Sequence, residues 1–453
     1  MKVLPQWVKT NSVILVNAGS LVGTTGVTSA LGFVYWWLAA RQFSPEALGL
    51  ASATVSAMTL LGTFGVLGLG TLLMGELPRQ RGKEAPLISA TLIVVAGVGG
   101  CLGFAFAVVA RYLSPGFQVL SASTGNIALF AFGVSLTAVT IVLDQALIGL
   151  LRGSLQLWRN TIFAGVKLTA LFIVSIWLAH ATGLTIYVTW MIGNIVSLAS
   201  LVGFVMVKGG RLRGILPQWG LLRKLGSFAI KQHALNLTLQ APALILPVLI
   251  TILLSAATNA WFFVSWSLAG LANIVSSALT MTLYAVSSAQ HDLLAHRIRL
   301  TLSLAFAACA VANCVLLLDT RQVLGLFGHS YAEQSAWSLR ILSLESFPFI
   351  IKDHYIVVNR IQGRIVHATR VTIATGLLEL GGALLGAHLG GLTGVSLGWF
   401  AAVCIEAMFM FRTVYRAVQP IGVSGNIDQL SRNTLPDEDS RKISMLTNDL
   451  GLR

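Results

Sequence analysis

The heptapeptide Ala179-His180-Ala181-Thr182-Gly183-Leu184-Thr185 returns 208 residues later as Ala387-His388-Leu389-Gly390-Gly391-Leu392-Thr393, identical at five of seven positions. Each copy separates two long apolar runs, 160–181 from 184–207 and 366–388 from 391–416. Two other features recur at nearly the same offset. Asp144 returns as Asp353 after 209 residues, and Ser20, Thr24 and Thr28 are answered by Gln232, Asn236 and Gln240 after 212. A near-constant offset shared by separate features is the mark of an internal duplication. The chain therefore reads as two halves of about 210 residues.

Working outward from the two turns, twelve apolar runs appear, at about 12–40, 46–75, 86–112, 126–151, 160–181, 184–207, 225–254, 259–288, 300–319, 335–359, 366–388 and 391–416. A hydrocarbon core about 30 Å thick takes about 20 apolar residues per helical crossing, whereas a membrane strand needs only about ten and alternates with period two. The runs are therefore expected to be transmembrane helices. Charged residues make up 10% of the 453-residue chain, against about 25% in a soluble domain, while AVILMFWYC reach 55% and mean hydropathy is +0.80. This excludes a large soluble catalytic domain. Cys101, Cys309, Cys314 and Cys404 lie within apolar runs, so neither a disulfide framework nor a metal site is expected. The first run is too long for a secretion signal and ends at Trp36-Trp37-Leu38-Ala39-Ala40-Arg41 without a small-x-small cleavage site, so it reads as an uncleaved span.

Net charge is +14, but the basic residues sit between the runs and need no nucleic acid to explain them. Eighteen Lys and Arg fall in one set of alternate connections and only Arg41, Arg111 and Arg321 in the other. The positive-inside rule places the richer side, and with it both termini, in the cytoplasm. The span count is then even. Six spans per half insert both halves in the same sense, so the expected architecture is all-α, about 12 transmembrane helices in two six-helix lobes, related by a pseudo-two-fold along the membrane normal. The divisions are 1–207 for the amino-terminal lobe, 208–224 for a basic cytoplasmic linker, 225–417 for the carboxy-terminal lobe and 418–453 for a polar, disordered cytoplasmic tail.

Residues 35–92 carry a resemblance. Leu38-Ala39-Ala40-Arg41-Gln42-Phe43-Ser44-Pro45-Glu46-Ala47-Leu48-Gly49, then Gly65-Val66-Leu67-Gly68-Leu69-Gly70-Thr71 and Glu76-Leu77-Pro78-Arg79, resemble the first hairpin of polysaccharide transporters. These are the Wzx-like flippases of the multidrug/oligosaccharidyl-lipid/polysaccharide exporter superfamily. With the duplicated layout the resemblance extends over about residues 1–417. It implies transfer of undecaprenyl-pyrophosphate-linked oligosaccharide from the inner to the outer leaflet of a bacterial cytoplasmic membrane, for surface polysaccharide synthesis. The implied partners are that lipid-linked oligosaccharide, membrane lipids and other polysaccharide-assembly proteins. No cofactor is implied beyond a coupling H+ or Na+, and no catalytic residue.

Two polar stripes are candidates for the cavity between the lobes. Asn17, Ser20, Thr24 and Thr28 share one face of the first span, and Gln232, His233, Asn236 and Gln240 occupy one arc of the seventh. Hydrogen bonding between helices would use the same residue types. Charge inside a span is costly and marks function by default. Asp144 and Lys167, each about eleven residues from the middle of the connection between spans four and five, are expected to form a structural ion pair. Glu379, Glu345 and Asp353 are the candidates for ion coupling, with a paired structural role the alternative for Glu379. The resemblance also exposes a departure, since related lipid II flippases carry arginines in spans one and two, whereas here neither span has a basic residue in its interior. Lys231 and Lys352 are then the candidates for the pyrophosphate, unless their ammonium groups snorkel to the interface.

Two rival functions share this architecture or this cargo. A drug or cation antiporter of the same superfamily would be expected to carry carboxylates in the first half's cavity, where Asp144 alone lies in the interior of a span. A glycan polymerase or ligase would be expected to carry a long outer loop, and the longest here, near 112–126 and 319–334, have about fifteen residues. No G-x-x-x-x-G-K-[ST] stretch supports an internal ATPase.

Overall fold

The computed structural model describes residues 12–79, 84–178, 182–207, 219–287 and 294–419, with side chains described over 26–78, 84–178, 182–207, 233–284 and 294–419. The linker up to 218 and the tail beyond 419 lie outside the described residues. All described secondary structure is helical. In chain order the helices are α1 (Ser12–Gln42), α2 (Pro45–Gly65), α3 (Leu69–Glu76), α4 (Glu84–Leu113), α5 (Gln118–Ser121), α6 (Thr124–Gly149), α7 (Gly153–Trp177) and α8 (Gly183–Val207). The second half holds α9 (Trp219–Leu253), α10 (Ala256–Ser287), α11 (Leu294–Leu318), α12 (Thr320–Gly325), α13 (His329–Gln334), α14 (Ala336–Leu344), α15 (Ser346–Ile361) and α16 (Ile365–Val418). Among the described residues, nine helices are long and apolar enough to cross a membrane.

Two expected spans are interrupted, each for a local reason. The second breaks between α2 and α3, where Leu67 (φ 52°) and Gly68 (φ 76°) take the left-handed conformation that an α-helix cannot continue through. The tenth breaks at Glu345, because Pro348 has no N–H to return to the Leu344 carbonyl. Conversely, α16 is two arms joined without a loop: Gly390 (φ −152°) and Gly391 (φ 55°) fold the chain back at the repeated turn. Its arms pass so closely that Gly382 faces Gly398 and Gly386 faces Gly394 with no room for a Cβ. One boundary shifts as well, since α7 begins at Gly153, several residues before the expected 160.

The start of α2 accounts for the Ser44-Pro45-Glu46-Ala47 stretch. Ser44 is an N-cap whose Oγ accepts from the Ala47 N–H at 3.2 Å, Pro45 occupies the first turn, and Glu46 complements the helix dipole. Within the first half α1 packs along α7, α4 along α6 and α7 along α8; in the second, α15 and α9 pack on α16. The halves meet chiefly where α2 lies against α9 and α10. There Gly49 does structural work, because a Cβ on it would overlap the Ala256 carbonyl.

Candidate functional site

Interlobe side-chain bonds gather near the connections read as outer. Asn259 Nδ2 donates to the Gly49 carbonyl at 2.8 Å and to Ser52 Oγ at 3.0 Å. Trp37 Nε1 donates to the Leu326 carbonyl at 2.9 Å, and Ser114 Oγ to the Thr251 carbonyl at 3.4 Å. Phe33 meets Phe327 edge-on at 5.7 Å, and Trp36 meets Phe263 at 4.8 Å. Deeper along α2, His233 Nε2 lies 2.9 Å from the Thr63 carbonyl.

The two polar stripes can be placed only in part. Asn17, Ser20, Thr24, Gln232 and Lys231 have side chains outside the described residues. Thr28 is half-buried, and Gln240 is exposed. His233 and Asn236 are half-buried and engaged, His233 across the seam and Asn236 as acceptor of Arg360 Nη2 at 3.4 Å.

The expected pair of Asp144 with Lys167 does not form. Asp144 is held by Arg159, whose Nη2 lies 2.7 Å from Oδ2 and 2.8 Å from Oδ1, while Nε lies 3.0 Å from Oδ1. Asn160 Nδ2 adds a bond to Oδ2 at 3.2 Å. The earlier start of α7 is the reason. The tight turn centres on Leu151 (φ 56°), so Arg159, not Lys167, lies level with Asp144. A guanidinium also matches a carboxylate fork in a way that an ammonium does not. Lys167 instead lies among rings, 3.6 Å from the Trp190 centroid, 4.7 Å from Phe163 and 4.9 Å from Tyr35.

Lys352, expected as a pyrophosphate contact, is committed elsewhere. Its Nζ donates to Glu379 Oε1 at 2.6 Å and to Glu406 Oε2 at 3.1 Å, tying α15 to both arms of α16, with all three residues buried. An ammonium so engaged has no free approach for a bulky anion. Glu406 Oε1 is buried with no hydrogen-bond partner among the described residues. Glu345, at the α14–α15 break, accepts from Trp399 Nε1 at 2.9 Å, and Asp353 accepts from Ser276 Oγ at 3.2 Å. The three coupling candidates thus belong to one carboxyl-rich region of the second lobe. Glu406, which sits deep in its span, completes it; no periodicity of α16 marks it as the partner of Lys352.

Order, breaks and pairing of these helices define an all-α membrane fold similar to that of the MATE transporters of the MOP superfamily, a likeness that implies two lobes and twelve spans. An inward-facing multidrug resistance MATE family transporter of that superfamily matches over 91% of this chain and 99% of its own, with a TM-score of 0.71 at 14% identity. An outward-facing one matches over 90% and 95%, with a TM-score of 0.60 at 13% identity. A MATE protein in complex with MaD3S gives 0.58 over 89% of this chain and 96% of its own, at 14% identity. No protein-family profile matches the sequence, and no curated protein does. At 13–14% identity the likeness is one of fold.

Proposed function

We propose that the protein is an alternating-access flippase that carries undecaprenyl-pyrophosphate-linked oligosaccharide across a bacterial cytoplasmic membrane, both termini being cytoplasmic. The observation that carries the transport reading is the seam itself. Two lobes of one fold meet along α2, α9 and α10, and small breakable contacts such as Asn259 to Gly49 close their outer ends. The greater likeness to the inward-facing relative supports the same reading. The cargo rests on the resemblance of residues 38–79, with the stripes of spans one and seven lining the path and Lys231 meeting the pyrophosphate. The lobes divide at 1–207 and 225–417, joined by 208–224 and followed by the tail 418–453.

Coupling is assigned to the Lys352, Glu379 and Glu406 cluster, with Glu345 and Asp353 beside it. One ammonium between two buried carboxylates leaves one negative charge unbalanced in a medium where that is expensive. A proton on either glutamate removes it. A sodium ion is the poorer fit, because the ammonium already holds the position between the oxygens.

The test is reconstitution in liposomes with a fluorescent lipid-linked oligosaccharide and a membrane-impermeant reagent that reads the outer leaflet. Transfer without hydrolysis, faster under an imposed pH gradient, is expected. Retained asymmetry under proton and sodium gradients with folded protein would overturn it. A drug antiporter is the second reading, favoured by the carboxylates of the second lobe; proton-driven movement of a lipophilic organic cation, with no glycan transfer, would select it.

A further inference from the structure

The Asp144–Arg159 pair leaves Lys167 without the carboxylate it was expected to have. The residue is only 4% exposed, and among the described residues its Nζ has no carboxylate within 4 Å and no hydrogen-bond acceptor. Three rings surround it, contributed by three helices: Tyr35 of α1, Phe163 of its own α7 and Trp190 of α8. The enclosure is built, not incidental. Tyr35 OH is pinned by the Ile186 carbonyl at 3.0 Å and Thr189 Oγ1 at 2.8 Å. Gly193 lets α8 approach, since a Cβ there would lie 2.9 Å from Lys167 Cβ. Ring faces attract a cation without using its N–H donors, so all three donors of Lys167 Nζ are left for a ligand.

The cage also adjoins the lobe seam. Trp190 lies 6.0 Å from Trp36, which touches Phe263 of the opposite lobe at 4.8 Å, and these three rings are half-buried. Trp36 is thus the ring that links the cage to the opposite lobe.

We infer that Lys167, with Trp190 and Trp36, forms an anion-binding subsite at the lobe seam that takes the charged headgroup of the cargo, the ammonium bonding the anion while the rings offer flat faces to an attached sugar. The inference rests on the proposed transport of an anionic glycolipid and deepens it. A buried ammonium with unspent donors forms short, charge-assisted bonds to phosphate or carboxylate oxygens. Both anions share this chemistry, and the lipid's pyrophosphate and an acidic sugar are its two sources.

The test uses the full-length protein in nanodiscs, with inorganic pyrophosphate and glucuronate titrated separately by calorimetry. Lys167→Met replaces a buried charge by an apolar chain of similar length, a change that packed interiors tolerate, and Lys167→Arg keeps the charge. Expected is pyrophosphate binding by the wild type and the Arg variant, weakened at least about tenfold in Lys167→Met at an unchanged or higher Tm. Tighter binding of glucuronate than of pyrophosphate would assign the subsite to an acidic sugar. Should Lys167→Met not fold, Trp190→Leu, which removes the closest ring, is measured in its place, with the same tenfold loss expected. Undiminished pyrophosphate and glucuronate binding in the folded variant, or no binding of either by the wild type up to millimolar concentrations, overturns the subsite. A lower Tm with unchanged binding would make Lys167 cation–π packing alone. Glycan transfer unaffected by Lys167→Met would remove the subsite while leaving the flippase reading intact. Lys167-dependent anion binding without any glycan transfer would do the reverse.

Discussion

Arg159 and Asp144, fifteen residues apart, clamp the base of the α6–α7 hairpin through a guanidinium that places Nη2 2.7 Å from Oδ2 and Nε 3.0 Å from Oδ1. Arg159 is buried and Asp144 half-buried, and Arg159 Nη1 reaches Ser197 Oγ of α8 at 3.4 Å, so one residue ties three helices together. A basic residue that the charge pattern assigns to a cytoplasmic connection is thus part of the lobe's interior.

Removing one partner of such a pair strands the other, a loss of about 3–5 kcal/mol when the site is buried. Arg159→Met should lower the Tm in detergent by several degrees, and Arg159→Met with Asp144→Leu should recover most of it. Thermal unfolding followed by size-exclusion chromatography reads both. Equal Tm for the single and double variants would reject the pair.

Lys352 binds two glutamates at once, so two variants separate structure from coupling. Lys352→Met leaves two buried carboxylates without their cation and should cost about 3–5 kcal/mol of stability. Glu406→Gln leaves a balanced Lys352–Glu379 pair and should fold normally, yet transport should lose its response to a pH gradient. Liposome transport at two imposed gradients checks this; a full response in Glu406→Gln would take that residue out of the coupling step.

The outer seam depends on Gly49, where a Cβ would meet the Ala256 backbone. Gly49→Ala should disfavour the closed outer end by about 1–3 kcal/mol, the usual cost of overpacking. Spin labels at Gln42 and Leu326 in a cysteine-free background should then report a longer mean distance. An unchanged distance distribution would show that the crossing yields elsewhere.

Leu67 holds φ 52° between α2 and α3, a conformation that glycine adopts freely and a β-branched residue resists. Leu67→Gly should be neutral or stabilising by about 0.5–1 kcal/mol, and Leu67→Val destabilising by about 1–2 kcal/mol. Paired Tm measurements decide it, and a stabilised Val variant would contradict the assigned turn.

The membrane class, the helical runs and the reversal at Gly390-Gly391 were legible in the sequence, because these depend on local quantities: hydropathy over about 20 residues, and glycine where the chain reverses. Gly390-Gly391 was readable as a turn from its type alone. Which charges meet was settled by the packing of the helices. Asp144 chose Arg159 because a helix began several residues early, and along a helix each residue advances about 1.5 Å, enough to move Lys167 a full two turns away. Lys352, Glu379 and Glu406 were each visible as costly intramembrane charges, but their union depends on how α15 lies across the two arms of α16. Partner choice between side chains on different helices is set by helix rotation and depth, and one-dimensional periodicity fixes neither.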